Sequence, residues 1–272
     1  MKWDSERSDQ VPTPDFKLPL RLFSTHQSGM AVSVFRPPHY NGLSASEKMP
    51  ENTLFTYRTR ETEDTICSPL NPIWSKCEHV SIDQDWQGRA ILSKRGHNWK
   101  NLTRAASVWN ENAIFFYFEC WYDQDNIGVS GATDNEIDEL WDRDVLELFV
   151  KPASRDDYYQ IEISHLSQWL AVHILEPRVD IDFHWKPNLL LKVKVHDDEH
   201  IWRAFVKLPF EPLGEATQAV RPPEVGEAWR LNIYRATGQE PEREYLAWRP
   251  TFTSQPDFHV PASFGNLIFL AE

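Results

Sequence analysis

The stretch ELWDRDVLELF, residues 139–149, sets an aromatic plate among acids. Trp141 has Asp142 beside it and Asp144 close behind, and Glu147 stands two positions before Phe149. An indole offers a flat apolar face, and a carboxylate accepts strong hydrogen bonds from hydroxyls. Together they suit a ligand with apolar faces and a polar rim, and a pyranose ring has that form. Acid–base chemistry is the competing use. Asp144 and Glu147 are three apart on a strand, so they point to opposite faces and pair poorly. Glu147 with Asp142 or Asp257 across a cleft is the more workable pair.

A strand must present these groups. From Asp144 onward the alternation puts Leu146, Leu148 and Val150 on one face and Val145, Glu147 and Phe149 on the other. The first face is core. The second is either a recognition surface or a covered face that tolerates one glutamate, which an arginine such as Arg249 would then pair. Short strand patterns fill the rest of the chain: AASVWN, AIFFYFECWY, YYQIEIS, QWLAVHIL, LLLKVKVH, IWRAFVKLPF, AWRLNIYRA, EYLAW and NLIFL. Glu111-Asn112 reads as a tight hairpin turn and DDEH (197–200) as a hairpin loop over residues 189–208. The polar run 123–139 reads as a long loop. About ten short strands with turn signals and no βαβ rhythm predict an antiparallel sandwich, immunoglobulin-like or jelly-roll-like. Residues 1–65 are richer in proline and polar runs. They hold two short apolar pieces, MAVSVF and TLFTY, and read as an N-terminal extension packed on a main domain of residues 66–272.

Composition narrows the function. The chain has 272 residues, 41% of them hydrophobic, with twelve tryptophans and only ten glycines. No Gly-rich phosphate loop is present. A formal charge of −13 repels nucleic acid and anionic lipid. No run of 18 apolar residues exists to span a membrane. The polar start MKWDSERSDQ is no signal peptide. The protein is then cytoplasmic, or extracellular or periplasmic with its leader removed. Cys67, Cys77 and Cys120 have no metal-ligand spacing, and the first two read as free thiols unless export lets them pair. Asn101 heads an NLT acceptor pattern. The ten histidines show no H-x-H or H-E-x-x-H, so no catalytic transition metal is expected. Oligomeric state is not legible.

Several segments in order resemble the family 9 carbohydrate-binding modules and their relatives among DOMON-like sandwiches. They are PIWSKCEHVSIDQDWQG, SVWNENAIFFYFECWYDQ, LWDRDVLELFV, YYQIEIS, AWRLNIYRA and AWRPTFTSQPDFHVPASFGNLIF, spanning about residues 70–270. The resemblance implies a sugar ring stacked between two aromatics, Trp141 and Phe258, with Glu147 bonding hydroxyls and Gln160 on the next strand beside it. Phe258 stands where the family's sugar binders carry tryptophan, and Gln160 where they carry arginine. His259 is placed to donate to a hydroxyl or else is a histidine without a role. The resemblance also implies structural calcium near Asp123, with no other cofactor. Haem, held by some DOMON relatives, fits poorly, because the three methionines, Met1, Met30 and Met49, all precede the main domain. The expectation is non-catalytic carbohydrate binding, with a cofactor-free enzyme using the same cleft as the alternative.

Overall fold

Alternating side chains in the sequence become strands wherever one face can be buried. The computed structural model describes residues 52–68, 71–91, 101–123, 127, 136–153, 155–214 and 222–272. Their strands are β1 (Thr53–Arg58), β2 (Val80–Ile82), β3 (Gln84–Asp85), β4 (Thr103–Trp109), β5 (Ala113–Trp121), β6 (Val145–Lys151) and β7 (Tyr158–Ile163). They continue as β8 (Trp169–Glu176), β9 (Asp180–Asp182), β10 (Leu190–His196), β11 (Ile201–Pro209), β12 (Ala228–Thr237), β13 (Glu244–Ala247) and β14 (Gly265–Leu270). They form one curled sheet in the order β10-β11-β5-β4-β1-β14-β12-β6-β7-β8-β9, with β13 added to β12, β2 to β4, and β3 to β13. The fold is an all-β sandwich. Ile114, Phe116 and Phe118 of β5 and Val206 of β11 bury against Leu146 and Leu148 of β6, Ile161 of β7 and Ile233 of β12.

The strands expected from AASVWN to NLIFL are present, including the hairpin of β10 and β11, which closes through a turn at Asp197–Glu199 with His200 in the left-handed region. The Glu111-Asn112 turn is built by Asn110, whose Oδ1 accepts from the backbone N–H groups of Asn112 and Ala113 at 2.8 and 3.0 Å. One expectation is corrected. The sandwich is not wholly antiparallel: β1 lies between β14 and β4 and runs parallel to both. The two edges that it joins run in the same direction, so it has the same relation to both. This strand is the TLFTY piece, so the sheet takes in residues that the sequence assigns to the extension. MAVSVF and most of the 123–139 run lie outside the described residues.

Two short helices cover the outer face of β4, β5 and β11. They are α1 (Glu63–Ile66) and α2 (Pro72–Lys76). Asn71 caps α2, its Oδ1 accepting from the N–H of Ile73 at 2.8 Å, and Pro72 supplies a preset φ where no N–H is needed. Trp74 of α2 is buried against Tyr117 and Phe205. With helices on one side and the main core on the other, β5 is apolar on both faces from Ala113 to Phe118, which is why that part of its sequence reads as an unbroken apolar run. Gly265 starts β14 under tight restraint. A Cβ there would lie 2.6 Å from the Trp248 ring and 2.8 Å from the Asn52 carbonyl. Cys67, Cys77 and Cys120 are free thiols.

Candidate functional site

The outer face of β6, β7 and β12 carries the polar groups. Glu147 stands opposite Glu162 in the β6–β7 register and opposite Tyr234 in the β6–β12 register, while Phe149 stands opposite Gln160. Cross-strand partners share a face, so Glu147, Gln160, Glu162 and Tyr234 come together there. The Gln160 side-chain amide bridges the two acids, its Nε2 donating to Glu147 Oε2 at 2.9 Å and to Glu162 Oε1 at 2.6 Å. The backbone amide of Trp141 also favours the charged form of Glu162, against the larger effect of burial. Glu162 Oε2 is buried with no hydrogen-bond partner. All three side chains are buried, Glu162 to 1% exposure.

One amide cannot satisfy two buried carboxylates. Burial pushes the Glu147 carboxyl up to about 7, against the opposing pull of the Gln160 hydrogen bond and the Arg243 charge. Glu162 is raised well above the usual carboxylate range, first by burial, then by the negative charges of Glu147 and Asp142. Near neutral pH the pair holds a proton, because two like charges this close cannot both ionise cheaply.

Trp141 is set by a 3₁₀ turn, Leu140–Asp142, entered through Glu139 in the left-handed region at φ 59°. Leu140 anchors the turn in the core, and Trp141 is 36% exposed. Arg243 clamps this turn, its guanidinium donating to the carbonyls of Trp141, Asp142 and Arg143 at 2.8, 2.9 and 2.6 Å while lying 5.6 Å over the Tyr245 ring. Phe258 is buried at 8% exposure, and its ring stacks on Tyr234 with centroids 4.2 Å apart. His259 packs on Phe149 and shares a 2.8 Å hydrogen bond with the Tyr158 hydroxyl. Burial and the Arg178 charge pull His259 down to about 4, so it is neutral.

The structure therefore brings Glu147, Gln160, Phe258 and His259 to one face, with Trp141 at its rim on the turn that Arg243 clamps. The partners differ from those expected. Glu147 bonds Gln160 and feels Arg243, and Arg249 instead donates its backbone N–H to Asn232. Asp257 is held by Arg178, Asp142 is exposed on the 3₁₀ turn, and the carboxyl facing Glu147 belongs to Glu162. Asp144 is a structural acceptor, taking bonds from the Thr237 hydroxyl at 2.6 Å and the Gly238 N–H at 3.1 Å. Asp123 follows β5. Among the described residues no group of three or more His, Cys, Asp or Glu is placed to hold a metal ion. Glu162 and Arg243 are functional candidates not singled out in the sequence. The signal for Glu162 was its parity with Gln160 in YYQIEIS.

The sequence pattern of carbohydrate-binding family 9 matches residues 106–269, more than half of the chain. The chain belongs to carbohydrate-binding family 9. The matched span holds every site residue named above and leaves β1, α1 and α2 outside it. Two solved structures share the family 9 fold. A candidate carbohydrate-binding protein from Bacteroides uniformis superposes with a TM-score of 0.60 at 16% identity, over 80% of this chain and 99% of its own. A family 9 carbohydrate-binding module from Caldicellulosiruptor kristjanssonii, in complex with glucose, gives 0.50 at 10% identity, over 81% and 96%. No curated protein sequence matches the chain. Among the described residues no helix is long and apolar enough to cross a membrane.

Proposed function

We propose that this family 9 protein binds a neutral carbohydrate without transforming it, with Trp141 as the stacking plate and Glu147, Gln160 and Glu162 at the rim. One observation carries the site. Trp141 is the exposed tryptophan among the described residues, and the turn that carries it is clamped by Arg243, whose charge also acts on Glu147 of the carboxylate–amide row. An exposed indole takes the C–H face of a sugar, and carboxyl and amide groups match its hydroxyls. Phe258, backed by Tyr234, forms the inner wall, with neutral His259 beside it as a hydrogen-bonding group. The glucose held by the C. kristjanssonii module supports a neutral sugar as the ligand class. The wider DOMON-like kinship read from the motifs belongs to the same proposal.

The test is titration of the wild type, Trp141→Ala and Gln160→Ala with mono- and disaccharides, each variant first shown to be folded. Losing the plate removes apolar area worth about 25 cal/mol per Å², whereas a neutral hydrogen bond nets about 0.5–1.5 kcal/mol. Trp141→Ala should therefore abolish weak binding and Gln160→Ala should only weaken it. Unchanged binding by Trp141→Ala would move the site elsewhere. A second reading, cofactor-free acid–base chemistry, draws on the proton held by Glu147 and Glu162, since displaced carboxyl pairs suit such work. It requires turnover of a sugar by the wild type that Glu162→Gln abolishes. Binding without turnover leaves the first reading standing.

A further inference from the structure

On the opposite side of the sandwich a concavity opens beside α2. It has a volume of about 690 Å³, within the range of roughly 300–1,000 Å³ usual for small-molecule sites. Its floor is a cross-strand row: Ser81 of β2 pairs with Arg104 of β4, and Arg104 with Glu119 of β5. Its walls include Ser75 of α2 and His79. Trp74 and Tyr117 also border it, but they stack on each other at 5.1 Å and are buried, so no aromatic face is on offer. The groups that remain are polar.

Their charges are unevenly matched. Glu119 accepts from Arg203 Nε at 3.2 Å and from the Tyr117 hydroxyl at 3.4 Å. Arg104 lies 5.4 Å over the Trp121 ring and makes no ion pair among the described residues. The cavity therefore holds one guanidinium fork that no carboxylate engages directly among the described residues, since Glu119, opposite it in the register, turns to Arg203. His79 is turned so that Nδ1 meets the Cys77 carbonyl at 3.1 Å. A carbonyl only accepts, so Nδ1 carries the proton and Nε2 of the neutral ring is left as an acceptor. Ser81 adds a hydroxyl, and Glu119 adds an acceptor that already takes a bond from Arg203, a cation it shares with Glu199.

We propose that this cavity is a second ligand site, for a small polyhydroxylated carboxylate such as a hexuronate, with its carboxylate on Arg104 and its hydroxyls on Ser81, His79 and Glu119. A planar carboxylate matches one guanidinium in two parallel hydrogen bonds. A phosphate dianion would meet the Glu119 carboxylate in the same cavity with a single cation to hold it, which selects against it. The site is independent of the Trp141 plate.

Calorimetric titration of the full chain with glucuronate, galacturonate, glucose and inorganic phosphate tests this. The wild type should bind a hexuronate more tightly than phosphate at this site, and more weakly as salt is raised. Arg104→Gln should lose about ten- to a hundredfold in hexuronate affinity, since a charged hydrogen-bond partner is removed. Ser75→Glu, an exposed change on α2 that places a carboxylate at the cavity wall, should weaken hexuronate in the same direction. It gives the answer even if Arg104→Gln fails to fold. Trp141→Ala should leave hexuronate binding unchanged. The proposal is overturned if the wild type binds no hexuronate, if a folded Arg104→Gln or Ser75→Glu binds it equally well, if phosphate binds as tightly, or if Trp141→Ala removes it.

Discussion

Two outer faces of one sandwich handle charge in opposite ways. On β4, β5 and β11 the register alternates signs: Arg104 opposite Glu119, and Glu119 opposite Arg203. Cross-strand neighbours of opposite sign are favourable, and this row is half-exposed. On β6 and β7 the register sets Glu147 opposite Glu162, like against like, and buries both. Nothing in sheet packing favours that arrangement, since a pair of aliphatic side chains there would be more stable. A polar face is therefore not in itself the mark of a binding site. Unmet hydrogen-bonding capacity is the stronger mark, because it is what a ligand can answer: Glu162 Oε2 within the like-charged pair and, on the alternating row, the Arg104 guanidinium that no carboxylate engages among the described residues.

The contrast can be broken by experiment. The largest effect belongs to the helix-covered face. Trp74→Ala removes a buried indole that stacks on Tyr117 and donates to the Ile66 carbonyl at 3.1 Å. It should cost about 3–5 kcal/mol by urea denaturation, while sugar binding at Trp141 survives in the folded fraction. Gln160→Leu comes next. It strips the single amide from two buried acids and should cost about 1–3 kcal/mol, read from the same unfolding curves.

The pH dependence is smaller and its sign is fixed. Glu147 and Glu162 have carboxyls raised above their unfolded values, so their stabilising contribution is complete below about pH 4.5 and is lost as pH rises through about 7. The thermal midpoint should fall across that window. Glu162→Gln should flatten the fall, gaining stability over the wild type above pH 7 and little near pH 4.5. A midpoint that rises across the window would show the pair to be ordinary ionised carboxylates. The smallest effect is that of Glu119→Gln, where neutralising one partner of a partly exposed ion pair should cost under about 1 kcal/mol. A larger loss would erase the contrast between the faces.

Much of this was legible in the sequence, for reasons that also explain the gaps. The strand pattern of VLELFV gave both faces of β6, and the YYQIEIS run fixed Gln160 on the strand beside it. Glu162 shares Gln160's parity, but only the register shows that it lands opposite Glu147. Arg243 was not legible: it lies in a polar turn without periodicity, and its role depends on carbonyls a hundred residues away in the chain. The same is true of β1, whose TLFTY pattern announces a strand but not its neighbours. Phe258 was legible as a site-face residue, while its stacking on Tyr234 depends on how the segment after β13 folds back over β12.

The placement of β1 also bears on synthesis. Its residues Thr53–Tyr57 pair with Asn266–Leu270, so one of its two neighbours comes last in chain order among the strands of the sandwich. Until β14 has left the ribosome, that side of β1 presents unpaired N–H and C=O groups, the template on which stray strands add. Its other neighbour, β4, is available earlier, and α1 and α2 follow β1 in the chain before β4 does. The nascent sandwich thus waits, one side of β1 open, for β14. Closure is a contact of very high sequence separation, of the kind that makes β folds slow. A ribosome that stalls inside the last strand should release a chain far more prone to aggregate than the finished one.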